Sequence, residues 1–203
     1  MCRTIIETIV ETGPGVSFED IIGLGQVKQS LSENIIYPQM RPDLFQGLRA
    51  PSRGILLYGP PGNGKTMVAK AVATACKSTF FNVSASSLMS KWVGDSERLM
   101  KHLFGLAAIY SPSIIFIDEL DSMLTARSST ENEAARRVKT EFLVQLDGVG
   151  STSGRVLVMG ATNRPFDLDE AALRRFTKRI YIGLPELDAR EALIKKMIAS
   201  VAH

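Results

Sequence analysis

Cysteine is scarce in this chain. Its 203 residues include two, Cys2 and Cys76, and neither has a ligand-like neighbour. That argues against a disulfide framework or a structural zinc site and for a reducing compartment. No apolar run approaches the ~20 residues that span a bilayer, and the N-terminus lacks a signal-peptide pattern. The expected location is therefore cytosolic or nuclear. There is no internal repeat and no low-complexity segment. Neither sign of charge dominates: the formal net charge is +3, which permits an acidic partner without requiring one. What is present is ordinary for a globular protein, with 45% hydrophobic and 22% charged residues. The length suffices for one sizeable core and is short for two.

The chain is organised around residues 54–66. Ile55, Leu56, Leu57 and Tyr58 form a short continuous apolar run, which suits a strand buried on both faces of a parallel sheet. The run stops at Gly59, Pro60, Pro61, Gly62, Asn63, Gly64, Lys65 and Thr66, a match to the G-x-x-x-x-G-K-[ST] phosphate loop, and a small-residue helix follows from Met67. Glycines let backbone N–H groups approach a polyphosphate closely, and the helix adds its positive dipole end. Lys65 is placed to reach the β- and γ-phosphates, and Thr66 to put its hydroxyl on Mg²⁺.

Taken in order, residues 1–11 carry Ile5, Ile6, Ile9 and Val10 at helical spacing and predict a short helix, followed by a linker through Gly15. A helix is expected over 26–36, terminated by Pro38 and Pro42. Before it, Asp20, Ile21, Ile22 and Gly23 form a stretch that either packs on an adenine ring or belongs to the core. Residues 79–83 predict a second strand, and 84–90 a connection with one helical turn. Lys91, Trp92 and Val93 precede a helix over 96–108; taken alone, Trp92 reads as a core or staple residue. Residues 114–117 form an apolar strand that delivers Asp118 and Glu119 at its carboxyl end, where ligands gather in open α/β sheets. Beside a phosphate loop, Asp118 suits Mg²⁺ coordination and Glu119 suits polarising the attacking water. Asp121 reads as a cap or structural acid.

Residues 125–132 are polar and loop-like. A helix is expected over 133–146, with Ala135, Val138, Phe142 and Leu146 inward and Arg136, Arg137, Lys139 and Glu141 largely elsewhere. A fourth strand, 155–161, ends at Asn163, which either orients water near the γ-phosphate or is a turn residue. A short helix over 167–175 ends in Arg174 and Arg175, which by themselves read as solvated, dipole-favoured charges. A fifth strand over 179–182 and an amphipathic helix over 188–201 complete the chain.

Together these stretches form an ordered set: the phosphate loop, Lys91-Trp92-Val93-Gly94, the Asp118-Glu119 strand end, Ala161-Thr162-Asn163-Arg164-Pro165 and Leu173-Arg174-Arg175-Phe176. The set resembles the AAA+ ATPases of the protein-remodelling type over essentially the whole chain. Gly47-Leu48-Arg49-Ala50-Pro51, Gly62-Asn63-Gly64-Lys65-Thr66-Met67 and residues 136–143 further resemble the microtubule-severing clade, the spastin type before the katanin and fidgetin types.

The resemblance implies an α/β large domain with a five-stranded parallel sheet and helices on both faces, occupying residues 16–203 after a helix and linker over 1–15. It also implies a homo-oligomeric ring, commonly a hexamer, with ATP and Mg²⁺ between subunits. Asp20, Ile21 and Gly23, with residues 59–67, would bind nucleotide; Thr66 and Asp118 would hold the metal. Lys65, Glu119 and the sensor Asn163 would act on the phosphates, and Arg174 and Arg175 would be fingers reaching a neighbour's γ-phosphate. Lys91, Trp92 and Val93 match a pore loop that grips a translocating peptide, and residues 125–135 match a second. Tubulin C-terminal tails would be the partner, with no nucleic acid and no membrane insertion, and the location cytoplasmic and cytoskeletal.

Two alternatives stay open: a related ATPase acting on membrane-remodelling filaments, and a truncated, non-catalytic nucleotide-binding assembly module. Set against the resembled family, these 203 residues are not expected to include its small helical lid or its N-terminal microtubule-interacting domain. The expected outcome for this chain alone is weak nucleotide binding and slow hydrolysis, measured by phosphate release; full microtubule severing by it would contradict that expectation.

Overall fold

The computed structural model describes residues 10–12, 15–49, 51–90, 96–125, 133–149 and 155–199. Strands β1 (Val10–Thr12), β2 (Gly54–Tyr58), β3 (Thr79–Ser84), β4 (Ser113–Asp118), β5 (Val156–Thr162) and β6 (Lys178–Tyr181) form one sheet in the order β1-β3-β4-β5-β2-β6. The last five run parallel. They lie where the five apolar runs predict strands. β1 is a correction: it pairs antiparallel with β3, Val10 opposite Phe81 and Thr12 opposite Thr79, where the sequence suggests a helix running to Glu11. Val10 and Thr12 are β-branched and suit a strand, and a free edge on β3 favours pairing; residues 1–9 of the expected helix lie outside the described residues.

Period-two alternation divides the parallel strands between two cores, one on each face. Ile55, Leu57, Phe80, Ile114, Phe116, Leu157 and Met159 share one cluster with α1 (Gly25–Leu31) and α2 (Lys65–Ala75). Leu56, Phe81, Ile115, Ile117 and Val158 face the other. That second core is completed by α3 (Ala85–Ser90), α4 (Ser96–Ile109), α5 (Asp121–Leu124), α6 (Glu133–Gly148) and α7 (Glu170–Arg175). The connection expected over 84–90 is thus a six-residue helix.

Pro38 does not end the first helix. α1 passes through a π-helical turn at Ser32–Ile36 into a further turn at Tyr37–Met40. Pro38 is the second residue of that segment, just past the π-helical turn, and the helical backbone continues through it to Met40, short of Pro42. The closing helix α8 (Leu187–Ala199) has no fully buried residue, with Leu187, Ile194, Met197 and Ile198 exposed. Among the described residues no helix is long and apolar enough to cross a membrane.

On α6, Phe142 is fully buried and its ring meets Phe104 of α4 edge-on at 6.1 Å. Replacing Phe142 with Ala should cost about 3–5 kcal/mol, read as a lower urea midpoint with little change in slope.

Candidate nucleotide site

All five parallel strands end at one edge of the sheet, and the phosphate loop leaves that edge from β2. The loop is pinned from both sides. Gly59 N–H donates to Thr162 O of β5 at 3.3 Å, and Asn63 Nδ2 donates to Ile182 O beyond β6 at 3.3 Å. Gly59 has φ +147°, and a Cβ there would stand 2.1 Å from Ile182 O, so no side chain fits. Gly62 and Gly64 have φ +78° and +80°, the left-handed region that glycine enters without steric cost. Gly64 precedes the first turn of α2, whose orphan N–H groups point outward. Lys65 is buried and donates to the carbonyls of Gly59 at 3.0 Å and Pro60 at 2.8 Å. Burial pushes its pKa down, opposed by the charge of Asp118.

Across the edge, Thr66 Oγ1 donates to Asp118 Oδ2 at 3.1 Å, although 52 residues separate them. The other carboxylate oxygen of Asp118 accepts from the N–H of Glu119 at 2.8 Å. Glu119 has φ +53°, uncommon for a non-glycine residue, and is exposed. Its turn carries the chain off β4, so that Leu120 N–H meets Ala161 O at 2.9 Å. Strain of this kind persists where the surrounding structure enforces it. Asp121 accepts from Thr162 Oγ1 at 2.7 Å, tying α5 to the end of β5 just before the exposed Asn163. A hydroxyl and a carboxylate in contact beside open backbone donors form a hard-oxygen set that fits Mg²⁺ shared with phosphate.

The Asp20–Gly23 stretch is placed against α8. Asp20 accepts from Ser17 N–H at 2.9 Å and from Lys196 Nζ at 3.3 Å, and its pKa is lowered, first by the Ser17 bond. Ile21 is buried in the cluster that also holds Val68 and Ile182, which flank the loop. Gly23, at φ +71°, leaves 2.9 Å between a Cβ and Ala189 Cβ. Met67 is exposed beside Thr66. Lys91, Trp92 and Val93, and residues 126–132 of the second matched loop, lie outside the described residues.

Arg174 and Arg175 end α7 and differ sharply. The Arg174 side chain is 80% exposed and meets Glu170 at 3.3 Å. Arg175 holds Asp147 of α6 with two bonds, at 2.8 and 2.6 Å, and donates to Ala171 O at 2.9 Å. The Asp147 carboxylate raises its pKa further. Its carbonyl lies against Gly54, where a Cβ would stand 2.7 Å away, at the amino end of β2. The loop leaves the carboxyl end of that strand, about 13 Å away at a rise of 3.3 Å per residue.

Sequence reasoning missed Lys139. Assigned to the solvent side of α6, it is 3% exposed and makes an ion pair with Asp169 at 2.9 Å. The signal was there: Ala135, Lys139, Phe142 and Leu146 recur at the spacing of one helix face.

An open parallel sheet with a glycine loop leading into a helix defines a phosphate-loop nucleotide-binding domain. Residues 55–184 match the ATPase family associated with various cellular activities (AAA), and the chain belongs to that family. It is 58% identical to spastin of Dictyostelium discoideum over all of its own length and 31% of that protein's. It is 56% identical to spastin of Drosophila melanogaster over 98% and 26%. The chain thus spans less than a third of these relatives. Among solved structures it resembles the FIGL-1 AAA domain in complex with ADP (49% identity, TM-score 0.89, 100% of this chain and 69% of that one). It also resembles a katanin structure concerned with katanin self-assembly (46%, TM-score 0.82, 97% and 65%).

Gly59→Ala should destabilise the fold by about 1–3 kcal/mol through this clash, seen as a lower thermal midpoint. An unchanged midpoint would mean that Ile182 yields freely.

Proposed function

We propose that this chain is the ATP-hydrolysing domain of a spastin-like, microtubule-severing ring, in which each site is completed by a neighbouring subunit. One observation carries the reading. The loop, Thr66, Asp118 and Glu119 converge at the carboxyl edge of the sheet, whereas the exposed Arg174 projects from α7, whose end lies at the amino end of β2. Arg174 is therefore remote from its own loop. A phosphate that it touches belongs to another copy.

In this mechanism the loop amides and Lys65 hold the β- and γ-phosphates of ATP, and Ile21 and Gly23 lie toward the adenine side. Thr66 and Asp118 would hold Mg²⁺, which neutralises developing charge on the phosphates. Glu119, lifted off the strand end by its left-handed backbone, orients and polarises the attacking water, with Asn163 on the adjacent strand end as sensor. Arg174 of the neighbour adds positive charge at the γ-phosphate, while Arg175, expected from the resemblance as a second finger, stays on Asp147 and holds α7 in place. Hydrolysis thereby depends on assembly. Lys91, Trp92 and Val93 would line the pore, and a cation with an aromatic face suits an acidic, extended tubulin tail. A microtubule-associated cytoplasmic location follows from that partner. The high identity to spastin supports this reading over a filament-remodelling relative.

Glu119→Gln should leave ATP binding intact, stabilise assembled rings and cut turnover by roughly 100-fold or more. Unchanged turnover in that variant would remove Glu119 from the chemistry and favour a nucleotide-gated assembly module.

A further inference from the structure

Lys139 is a buried charge that the mechanism above does not use. Its ammonium lies 2.9 Å from Asp169 Oδ2 and also donates to Thr125 O. Asp169 is itself the cap of the arginine helix: its Oδ1 accepts from Ala171 N–H at 2.8 Å, and its own N–H donates to Leu124 O at 2.8 Å. Three elements meet at one ammonium. They are α6, the end of α5, which follows the Asp118-Glu119 strand end, and the first turn of α7.

A second ion pair holds the other end of α7. Asp147, eight positions beyond Lys139 on α6, takes both bonds from Arg175. α7 is thus fastened to α6 at its cap and at its last residue, with Ala172 buried between. Six residues make fewer than two turns, too short to hold a direction without such fastening. Burying an ammonium is costly unless it is paired and satisfied, so the pair prefers one geometry. Arg174 is the side chain left pointing outward.

We infer that Lys139, through Asp169, is a positioning residue that aims Arg174 at the neighbouring subunit and ties that aim to the helix following the Asp118-Glu119 strand end. The inference rests on the in-trans reading above. Small displacements of a charge-stabilising group are expensive, a misplacement of about 1 Å costing around 100-fold in rate.

The test is subunit mixing with ATP turnover as the readout. Lys139→Met keeps the apolar stem, and its turnover should fall roughly 100-fold with unchanged nucleotide affinity. Lys65→Ala subunits lack a working loop but carry a well-aimed Arg174. Mixing them with Lys139→Met subunits should restore turnover, while mixing Lys139→Met with Arg174→Ala should not, because both lack an aimed arginine. A merely structural defect would not respect that asymmetry. Asp169→Asn retains a capping oxygen and removes the charge, so it should behave as Lys139→Met does and serves if the latter fails to fold. Wild-type turnover in Asp169→Asn, or restoration by Arg174→Ala partners, would overturn the assignment. The Lys65→Ala and Arg174→Ala mixture tests the underlying reading separately: if those two fail to complement, the in-trans site itself is wrong.

Discussion

The contact between Gly59 and the carbonyl of Ile182 is the constraint on which the site depends. It requires β2 to lie between β5 and β6, because the same glycine donates to Thr162 on one side and abuts Ile182 on the other. That order leaves β4 one strand beyond β5, close enough for Asp118 to reach Thr66. A loop of backbone donors needs a rigid frame to be preorganised, and the sheet supplies it from strands distant in sequence.

The same frame separates the two halves of the proposed catalytic apparatus. The phosphate loop, Thr66, Asp118 and Glu119 lie at the carboxyl edge. α7 returns the chain to the amino edge, and its last residue touches the start of β2. A subunit so built presents its loop at one end of the strands and its exposed arginine near the other, and in the proposed ring, assembly would bring unlike ends together. On that proposal, coupling between assembly and hydrolysis is built into the separation of loop and arginine.

Much of this was legible in the residues. Continuous apolar runs marked the parallel strands because both sheet faces are covered, and the loop and the paired acids announced themselves by spacing. The antiparallel β1 was not legible: three residues on an open edge gain their structure from β3 rather than from their own pattern. Pro38 misled because a π-helical turn upstream changed its position in the helix. Lys139 was misassigned because charge was allowed to outweigh face, and its partner Asp169 lies 30 residues ahead, beyond any local pattern. The difference between Arg174 and Arg175 was equally invisible, since it depends on Asp147 from another helix.

The central claim is that a neighbour completes each site. The most direct measurement is ATP turnover per subunit as a function of the protein's own concentration. A rate per subunit that climbs steeply with concentration is the predicted result. A rate per subunit that stays constant while nucleotide binding is plainly measurable would contradict it, because the site would then be working, or failing to work, entirely within one chain.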